Sequence, residues 1–239
     1  MKLSSIPRRG GFTLLETVIA IGVLAVLLTG FMVVFAPAAD GIRKSINVQQ
    51  ADRLASTLEQ ELVTLRGTES TKFKTGFNKS FEWIKGANSA GDALFVYQYR
   101  GDAKKAPRSD DGTLEPLANL RDKQPGDDYI VVPMVRRLSD PKFKLDLAAV
   151  EGAVYLVKCT QLVFNGGELK LGTPGAIKDP KAGAAAADGD AYPEAVIAFS
   201  ADFYIMPAKT DGYFNSSAFT SKFPSFKNPV FSRNLAVRR

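Results

Sequence analysis

An uncharged apolar stretch near the N terminus constrains this chain more than any other feature. Residues 18–35 read VIAIGVLAVLLTGFMVVF, and residues 12–17 extend the stretch to 24 residues in which Glu16 is the one ionisable side chain. A bilayer core is about 30 Å thick and is crossed by about 20 helical residues. The sequence therefore predicts a helix that spans a membrane once, in preference to a buried helix of a soluble core.

The residues on either side of the stretch predict its orientation and its fate. Lys2, Arg8 and Arg9 precede it, so the N terminus is expected on the cytoplasmic side and the remainder of the chain outside. A cleavable secretory signal is the alternative, but it would have a shorter apolar region followed by a small-x-small cleavage site. Ala36-Pro37-Ala38 would be a poor site because proline obstructs cleavage. A retained anchor is favoured.

The composition excludes most common catalytic machinery. The chain has no histidine, which removes Ser-His-Asp triads and histidine-ligated metals. Its single cysteine, Cys159, allows neither an intrachain disulfide nor a cysteine-rich metal site. Carboxylates, lysines and tyrosines remain available for catalysis. The sequence predicts a protein that is not an enzyme and has no catalytic residues.

Glu16 does not fit a plain membrane anchor. A carboxylate inside the apolar layer costs roughly 2.5–3.5 kcal/mol on insertion scales and usually has a partner. It ends the segment FTLLE, residues 12–16, which follows RRGG, residues 8–11. A short basic leader ending in glycine, then Phe-Thr-Leu-hydrophobic-Glu and an apolar helix, resembles the type IV prepilin family. That family includes type IV pilins and type II secretion pseudopilins.

The resemblance implies a processing reaction that is carried out on this chain. A prepilin peptidase would cut between Gly11 and Phe12, remove the leader 1–11, and methylate the new amine of Phe12. In the family, a carboxylate at the position of Glu16 pairs with the amine of a neighbouring subunit. Both charges would be costly inside an apolar layer unless they met each other.

The resemblance also implies partners, a location and a function. The partners are the prepilin peptidase, other pilin or pseudopilin subunits in a homopolymer or heteropolymer, an inner-membrane assembly platform and membrane lipid. The location is the bacterial inner membrane, with the head in the periplasm, and then a pilus or pseudopilus. The leading hypothesis is a structural subunit of such a filament. Two alternatives remain open: a low-abundance tip or minor subunit for adhesion, DNA uptake or cargo binding, and a membrane-anchored enzyme whose N-terminal similarity is coincidental.

Beyond the membrane segment, assigned to residues 12–36, an amphipathic continuation of the helix is expected over 37–67. Pro37 removes one helical hydrogen bond, so it is predicted to kink or locally melt the helix. Gly67 is the expected C-cap. Steps of three and four place one set of apolar residues on a single helical face. These are Ile42, Ile46, Ala51, Leu54, Ala55, Leu58, Leu62 and Leu65.

Residues 68–239 are expected to form one β-rich head. Segments rich in β-branched and aromatic residues predict strands at 93–100, 129–138, 153–164, 168–171 and 195–206. Seven of the sixteen phenylalanines lie from Phe199 onward, so the C-terminal region is expected to pack against the sheet. The predicted fold class is α+β and pilin-like, with a long N-terminal membrane-spanning helix packed on a mainly antiparallel sheet.

Two weaker patterns bear on cofactors and partners. No cofactor and no metal site are predicted, although the acidic loops at Asp110-Asp111 and Asp188-Gly189-Asp190 have oxygens of the kind that calcium binds. Trp83, with Phe77, Phe81 and two lysines near it, has the composition of a stacking surface for single-stranded DNA. A cluster buried under a loop is the favoured interpretation, so nucleic acid is not an expected partner.

Overall fold

The computed structural model describes residues 13–239, and its longest element is the helix α1, Leu14–Val63. The chain divides into two compact units, one up to Ile46 and the other Asn47–Arg239, so α1 contributes to both. The predicted leader 1–11 lies outside the described residues, and the domain boundaries predicted at residues 36 and 67 stay predictions.

The second unit contains a six-stranded antiparallel sheet. Its strands are β1 (Leu94–Asp102), β2 (Tyr129–Arg137), β3 (Val150–Asn165), β4 (Glu168–Leu171), β5 (Val196–Ile205) and β6 (Phe231–Arg238). The order across the sheet is β2-β1-β3-β5-β6, and β4 pairs with the end of β3. All pairings are antiparallel, which confirms the predicted α+β fold with a long helix on an antiparallel sheet.

One face of the sheet packs against the last part of α1 and against α3, Gly76–Gly86. Alternate residues of the strands point to this face because successive side chains in a strand face opposite sides. From α1, the core receives Ala51, Leu54, Ala55, Leu58 and Leu62, each at most 3% exposed. The predicted periodicity is therefore confirmed for this part of the helix.

The buried face of α1 is shorter than the predicted periodic set at both ends. Ile42 and Ile46 are 62% and 52% exposed, and Leu65 lies beyond the helix. The helix ends at Val63, before the predicted Gly67 C-cap, and the Arg66 amide donates to the Glu69 carboxylate at 2.9 Å. The Arg66 amide thus bonds to a side chain instead of to a backbone carbonyl of the helix. Gly67 has a φ of +46° but does not cap the helix.

The opposite face of the sheet is covered by short helices that the sequence did not reveal. They are α4 (Pro141–Leu147), α5 (Asp211–Phe214) and α6 (Ser217–Lys222), followed by a 3₁₀ turn at Phe223–Ser225. Phe95 of β1 stacks on Phe143 of α4 with ring centroids 4.6 Å apart and meets Phe214 edge-on. The sheet is thus the middle layer of three. The remaining helix, α2, is the short segment Glu69–Lys72.

The C-terminal region packs as expected but in an unexpected form. The basic segment at the end of the chain is the edge strand β6, which pairs with β5 from Val196↔Arg238 to Phe203↔Phe231. Leu235 and Val237 point into the core on the α1 side. Arg238 is exposed, but Arg233 lies on the same side of the strand as Leu235 and Val237 and pairs with Asp52 of α1 at 3.2 Å.

Candidate functional site

The candidate site is the start of α1 and the apolar surface that follows. Gly11 and Phe12, the predicted processing residues, lie outside the described part of the chain. Glu16 falls in the first turn of α1, three residues after Thr13. Its predicted pairing with an amine stays a prediction, but its local geometry adds a role that the sequence analysis missed.

Thr13 and Glu16 form a capping box. The Glu16 Oε2 atom accepts hydrogen bonds from the Thr13 backbone N–H and from the Thr13 hydroxyl, both at 2.9 Å. In return, the Glu16 backbone N–H donates to Thr13 Oγ1 at 3.2 Å. These reciprocal contacts satisfy amides that have no helical partner at the first turn. Thr-x-x-Glu before an apolar stretch is the sequence signal that could have revealed this arrangement.

The capping box engages one carboxylate oxygen and leaves the other available. Within residues 13–239, the hydrogen bonds to Glu16 all end on Oε2. The second oxygen, Oε1, can therefore accept from a further donor without breaking the cap. Because the carboxylate is held against the helix start, its position is fixed before any such donor arrives.

The surface after the capping box is apolar on all sides and wholly exposed. Every residue from Thr13 to Ile46 is exposed, including Leu14 at 84% and Val26 at 73%. The hydroxyl of Thr29 donates to the Ala25 carbonyl at 2.8 Å, so this polar group is satisfied within the helix. Among the residues described, α1 is the one helix that is long and apolar enough to cross a membrane.

Pro37 lies inside α1, and the helix continues on both sides of it. Local melting at this proline is therefore not observed, and the kink stays a prediction. Charged residues follow: Asp40 and Arg43 approach to 3.9 Å on the exposed surface. An exposed pair of this kind contributes little to stability.

A buried lysine holds the other end of α1. Lys79, which is 0% exposed, donates to the Thr64 carbonyl at 2.6 Å, to Glu69 at 2.8 Å and to Glu61 at 3.2 Å. Its ammonium also lies 4.2 Å from the Trp83 ring centroid. The carboxylates balance a charge that would be costly to bury alone.

The same region settles where the aromatic cluster lies. Phe77, Phe81 and Trp83 are at most 6% exposed and belong to the main core, together with residues of α1. They are not a small cluster under a loop, as favoured above, and their rings are not presented for stacking. Lys79, one of the two lysines near Trp83, is buried with these rings.

The acidic loops are occupied by contacts with cations of the chain. Asp111 contacts Arg136 and Lys142, both at 3.1 Å, and accepts from the Thr113 hydroxyl at 2.6 Å. Burial opposes ionisation, but these contacts hold the pKa of the Asp111 carboxyl well below its ordinary value. Asp190 accepts from Asn78 and Lys74, both at 3.0 Å.

Neither a metal cluster nor a reactive cysteine is found among residues 13–239. No three or more acidic or cysteine side chains there are grouped as metal ligands. Cys159 is buried, as the sequence suggested, and burial raises the pKa of its thiol. A thiol held in this neutral form is a poor nucleophile.

Comparison with known proteins identifies the N-terminal segment. Residues 6–32 match the family model described as the prokaryotic N-terminal methylation motif. No curated protein and no solved structure matches the chain. The matched residues contain the Gly11-Phe12 step, the capping box and most of the exposed apolar helix. The chain thus carries a type IV prepilin-like signal at its N terminus.

Proposed function

We propose that this protein is a structural subunit, and not an enzyme, of a type IV pilus or a type II secretion-like filament. The observation that carries the proposal is the exposed apolar helix headed by a fixed carboxylate within the methylation motif. An apolar surface of this extent requires a cover. The bilayer supplies it first, and the helices of neighbouring subunits supply it after assembly.

The membrane stage follows from length and charge. The uncharged residues 18–35 approach the length that spans a bilayer, and the cations before them favour a cytoplasmic N terminus. The head, from Asn47 onward, would then fold on the outer side of the bacterial inner membrane. No cofactor is required for this role.

Processing would change the charge at the start of the helix. A prepilin peptidase that cuts between Gly11 and Phe12 removes Lys2, Arg8 and Arg9 and creates an amine at Phe12. That amine lies one residue before Thr13, the N-cap of α1. Glu16 Oε1 can accept from the amine of a neighbouring subunit while Oε2 keeps its bonds to Thr13. The pairing would compensate both charges inside the filament.

Substitutions at the capping box separate charge pairing from helix capping. Glutamine can replace glutamate in a capping box, so Glu16→Gln keeps the cap and removes the charge. Thr13→Ala removes the capping hydroxyl and keeps the charge. We expect Glu16→Gln and Glu16→Leu to be cleaved yet to reach filaments about a hundredfold less, because an uncompensated buried charge costs about 3–5 kcal/mol. Thr13→Ala should assemble much better than either.

The measurement compares the protein in membranes with that in sheared filaments, in cells with an active prepilin peptidase. Thr29→Val is the matched control, since the Thr29 hydroxyl bonds only within its own helix. Mass spectrometry of the wild-type filaments should find N-methylphenylalanine at Phe12. Wild-type levels of Glu16→Gln in filaments would contradict the charge pairing. An uncut leader on most assembled protein would contradict the processing.

A further inference from the structure

The head contains an open cleft whose charged lining is entirely cationic. The cleft has a volume of about 540 Å³. Its lining residues are Lys85, Asn88, Ser89, Lys158, Pro174, Gly175, Phe223, Pro224, Phe226 and Lys227. Three lysines and no carboxylate meet there. The remaining wall is formed by prolines and by two phenylalanines.

Lys158 is the most constrained of the three lysines. It lies on β3, partly buried, and its Nζ donates to the carbonyls of Phe223 at 2.9 Å and Phe226 at 3.0 Å. The Phe223 ring lies 4.7 Å from the ammonium. An ammonium has three N–H donors, so one remains after the two carbonyl contacts.

The charge of Lys158 is incompletely compensated. Its cross-strand partner on β5 is Asp202, but that carboxylate accepts from the Ser232 hydroxyl at 2.6 Å and makes no ion pair with Lys158 within 4.0 Å. Burial lowers the pKa of the Lys158 ammonium, and the charge of Asp202 opposes this shift without cancelling it. Carbonyl oxygens solvate the cation but carry no net charge to balance it.

The two other lysines differ from each other. Lys85 donates to the Ala187 carbonyl at 3.3 Å and its ammonium lies 5.7 Å from the Phe81 ring centroid, and neither of those residues lines the cleft. Lys227 is exposed and makes no hydrogen bond or ion pair within the part of the chain that is described, and the Ser89 hydroxyl likewise has no such partner there. Several donors around this cleft thus remain available to an acceptor.

A second cleft in the same unit shows that this lining is unusual for the protein. That cleft, of about 300 Å³, is lined by five cations and five carboxylates. Its acidic groups bind cations, as in the pairs Glu61–Arg66 and Asp110–Lys142. The cations that line this second cleft are therefore balanced by carboxylates that also line it, while the lysine cleft has no lining carboxylate.

We propose that the lysine cleft binds an oxyanion, a phosphate or carboxylate group, attached to an apolar skeleton. Lys158 and Lys227 donate to the anion, with Ser89 as a neutral donor at the rim. The rings of Phe223 and Phe226 and the two prolines contact the apolar part of the ligand. A charge-assisted hydrogen bond from a partly buried ammonium is stronger than one from a fully hydrated side chain. This inference does not depend on filament assembly.

The test uses the full chain, labelled with ¹⁵N, in an uncharged detergent. Inorganic phosphate and acetate are titrated separately against sodium chloride at matched ionic strength, and the amide signals of Ser89, Gly175 and Lys227 are followed. At least one anion should give saturable shifts at these residues. The tighter of the two identifies the preferred oxyanion.

Variants test whether the amide shifts arise from anion binding in the lysine cleft. Lys227→Gln should raise Kd about 2- to 5-fold, as expected for an exposed charge. Lys158→Met should raise it at least about tenfold, provided that it folds. Lys72→Gln, a lysine of the mixed-charge cleft, should leave Kd unchanged. The proposal would be overturned if the shifts failed to saturate with both anions. It would also be overturned if Lys72→Gln and Lys227→Gln weakened anion binding equally. Both outcomes can be read whether or not Lys158→Met folds.

Discussion

The two parts of α1 are built from similar side chains but bury them very differently. From Leu14 to Ile46 the apolar residues occur on every side of the helix and all are exposed. From Asn47 to Val63 they return at steps of three and four and are covered by the sheet and α3. The distribution of polar residues explains this difference in burial. An amphipathic helix can bury its apolar face and expose its polar face to water, whereas a helix that is apolar on every side has no polar face to expose.

A tyrosine marks where the packed part begins. The hydroxyl of Tyr155 on β3 donates to the Asn47 carbonyl at 3.0 Å, and a Cβ added at Gly152 would come within 2.7 Å of the Gln50 side chain. The Gln50 side chain therefore packs directly against the β3 backbone at Gly152. One continuous helix thus serves as a core element of the head from Asn47 and as an exposed apolar segment before it.

Shortening the chain tests this comparison most severely. A protein that begins at Asn47 should be soluble and folded, because it keeps the packed face and loses the exposed one. A protein that begins at Thr68 should fail to fold, since five core residues from Ala51 to Leu62 are removed. Circular dichroism and thermal unfolding of the two proteins measure the difference. Cooperative unfolding of the shorter protein would show that the head does not need the helix.

Matched leucine substitutions in the two parts should differ by a few kcal/mol. Leu58 is 0% exposed and Leu27 is 65% exposed. Leu58→Ala should reduce the free energy of unfolding by about 2–5 kcal/mol, through lost burial and a residual cavity. Leu27→Ala should leave the stability of the head unchanged. Denaturant titration of the full chain in detergent, followed by Trp83 fluorescence, measures both. Equal losses would break the distinction between the two parts.

A smaller effect is expected from acid, and only in the second unit. The pKa of the Asp111 carboxyl is lowered in the folded protein. Its contribution to stability is therefore present above the unfolded pKa and is lost as the pH falls toward the folded pKa. Stability of the head should decrease as the pH falls below about 5, and Asp111→Asn should flatten that decrease.

The matched control for the acid effect is Asp122→Asn, because the Asp122 side chain is 90% exposed. Denaturant midpoints at each pH compare the two variants. Equal flattening by both would mean that general charge, rather than the buried contacts of Asp111, causes the acid sensitivity. Helicity of the exposed part of α1 should change little, since its carboxylates are few.

The features that could be predicted share a local or periodic signal. The methylation motif, the apolar helix and each of the five strands β1 to β5 occupy one continuous segment with a distinctive composition. The prediction failed where partners lie far apart in sequence. The burial of Lys79 could not be predicted, because the carboxylates that balance its charge, Glu61 and Glu69, lie on other elements. The strand β6 was not predicted, because Arg233 interrupts its inward-facing apolar residues and the partner of Arg233, Asp52, lies on α1.

The candidate site was predictable in part for the same reason. Glu16 stands out because a carboxylate is rare in an apolar stretch. The contact between Glu16 and Thr13 was not predicted, although the spacing of the two residues is that of a helix capping box. The position at which the buried face of α1 begins could not be predicted from the sequence. Ile42 and Ile46 continue the apolar periodicity of the helix, but both side chains are exposed.

The contacts of Lys79 have a mechanical consequence. A filament under tension transmits force along its subunits, and force carried by α1 would reach the head through the last turns of that helix. Lys79 joins Glu61 and the Thr64 carbonyl, at the end of α1, to Glu69 and to its own helix α3. The lysine thus resists peeling of the helix from its C-terminal end. The last turns of α1 would separate from α3 only after that ammonium lost its partners.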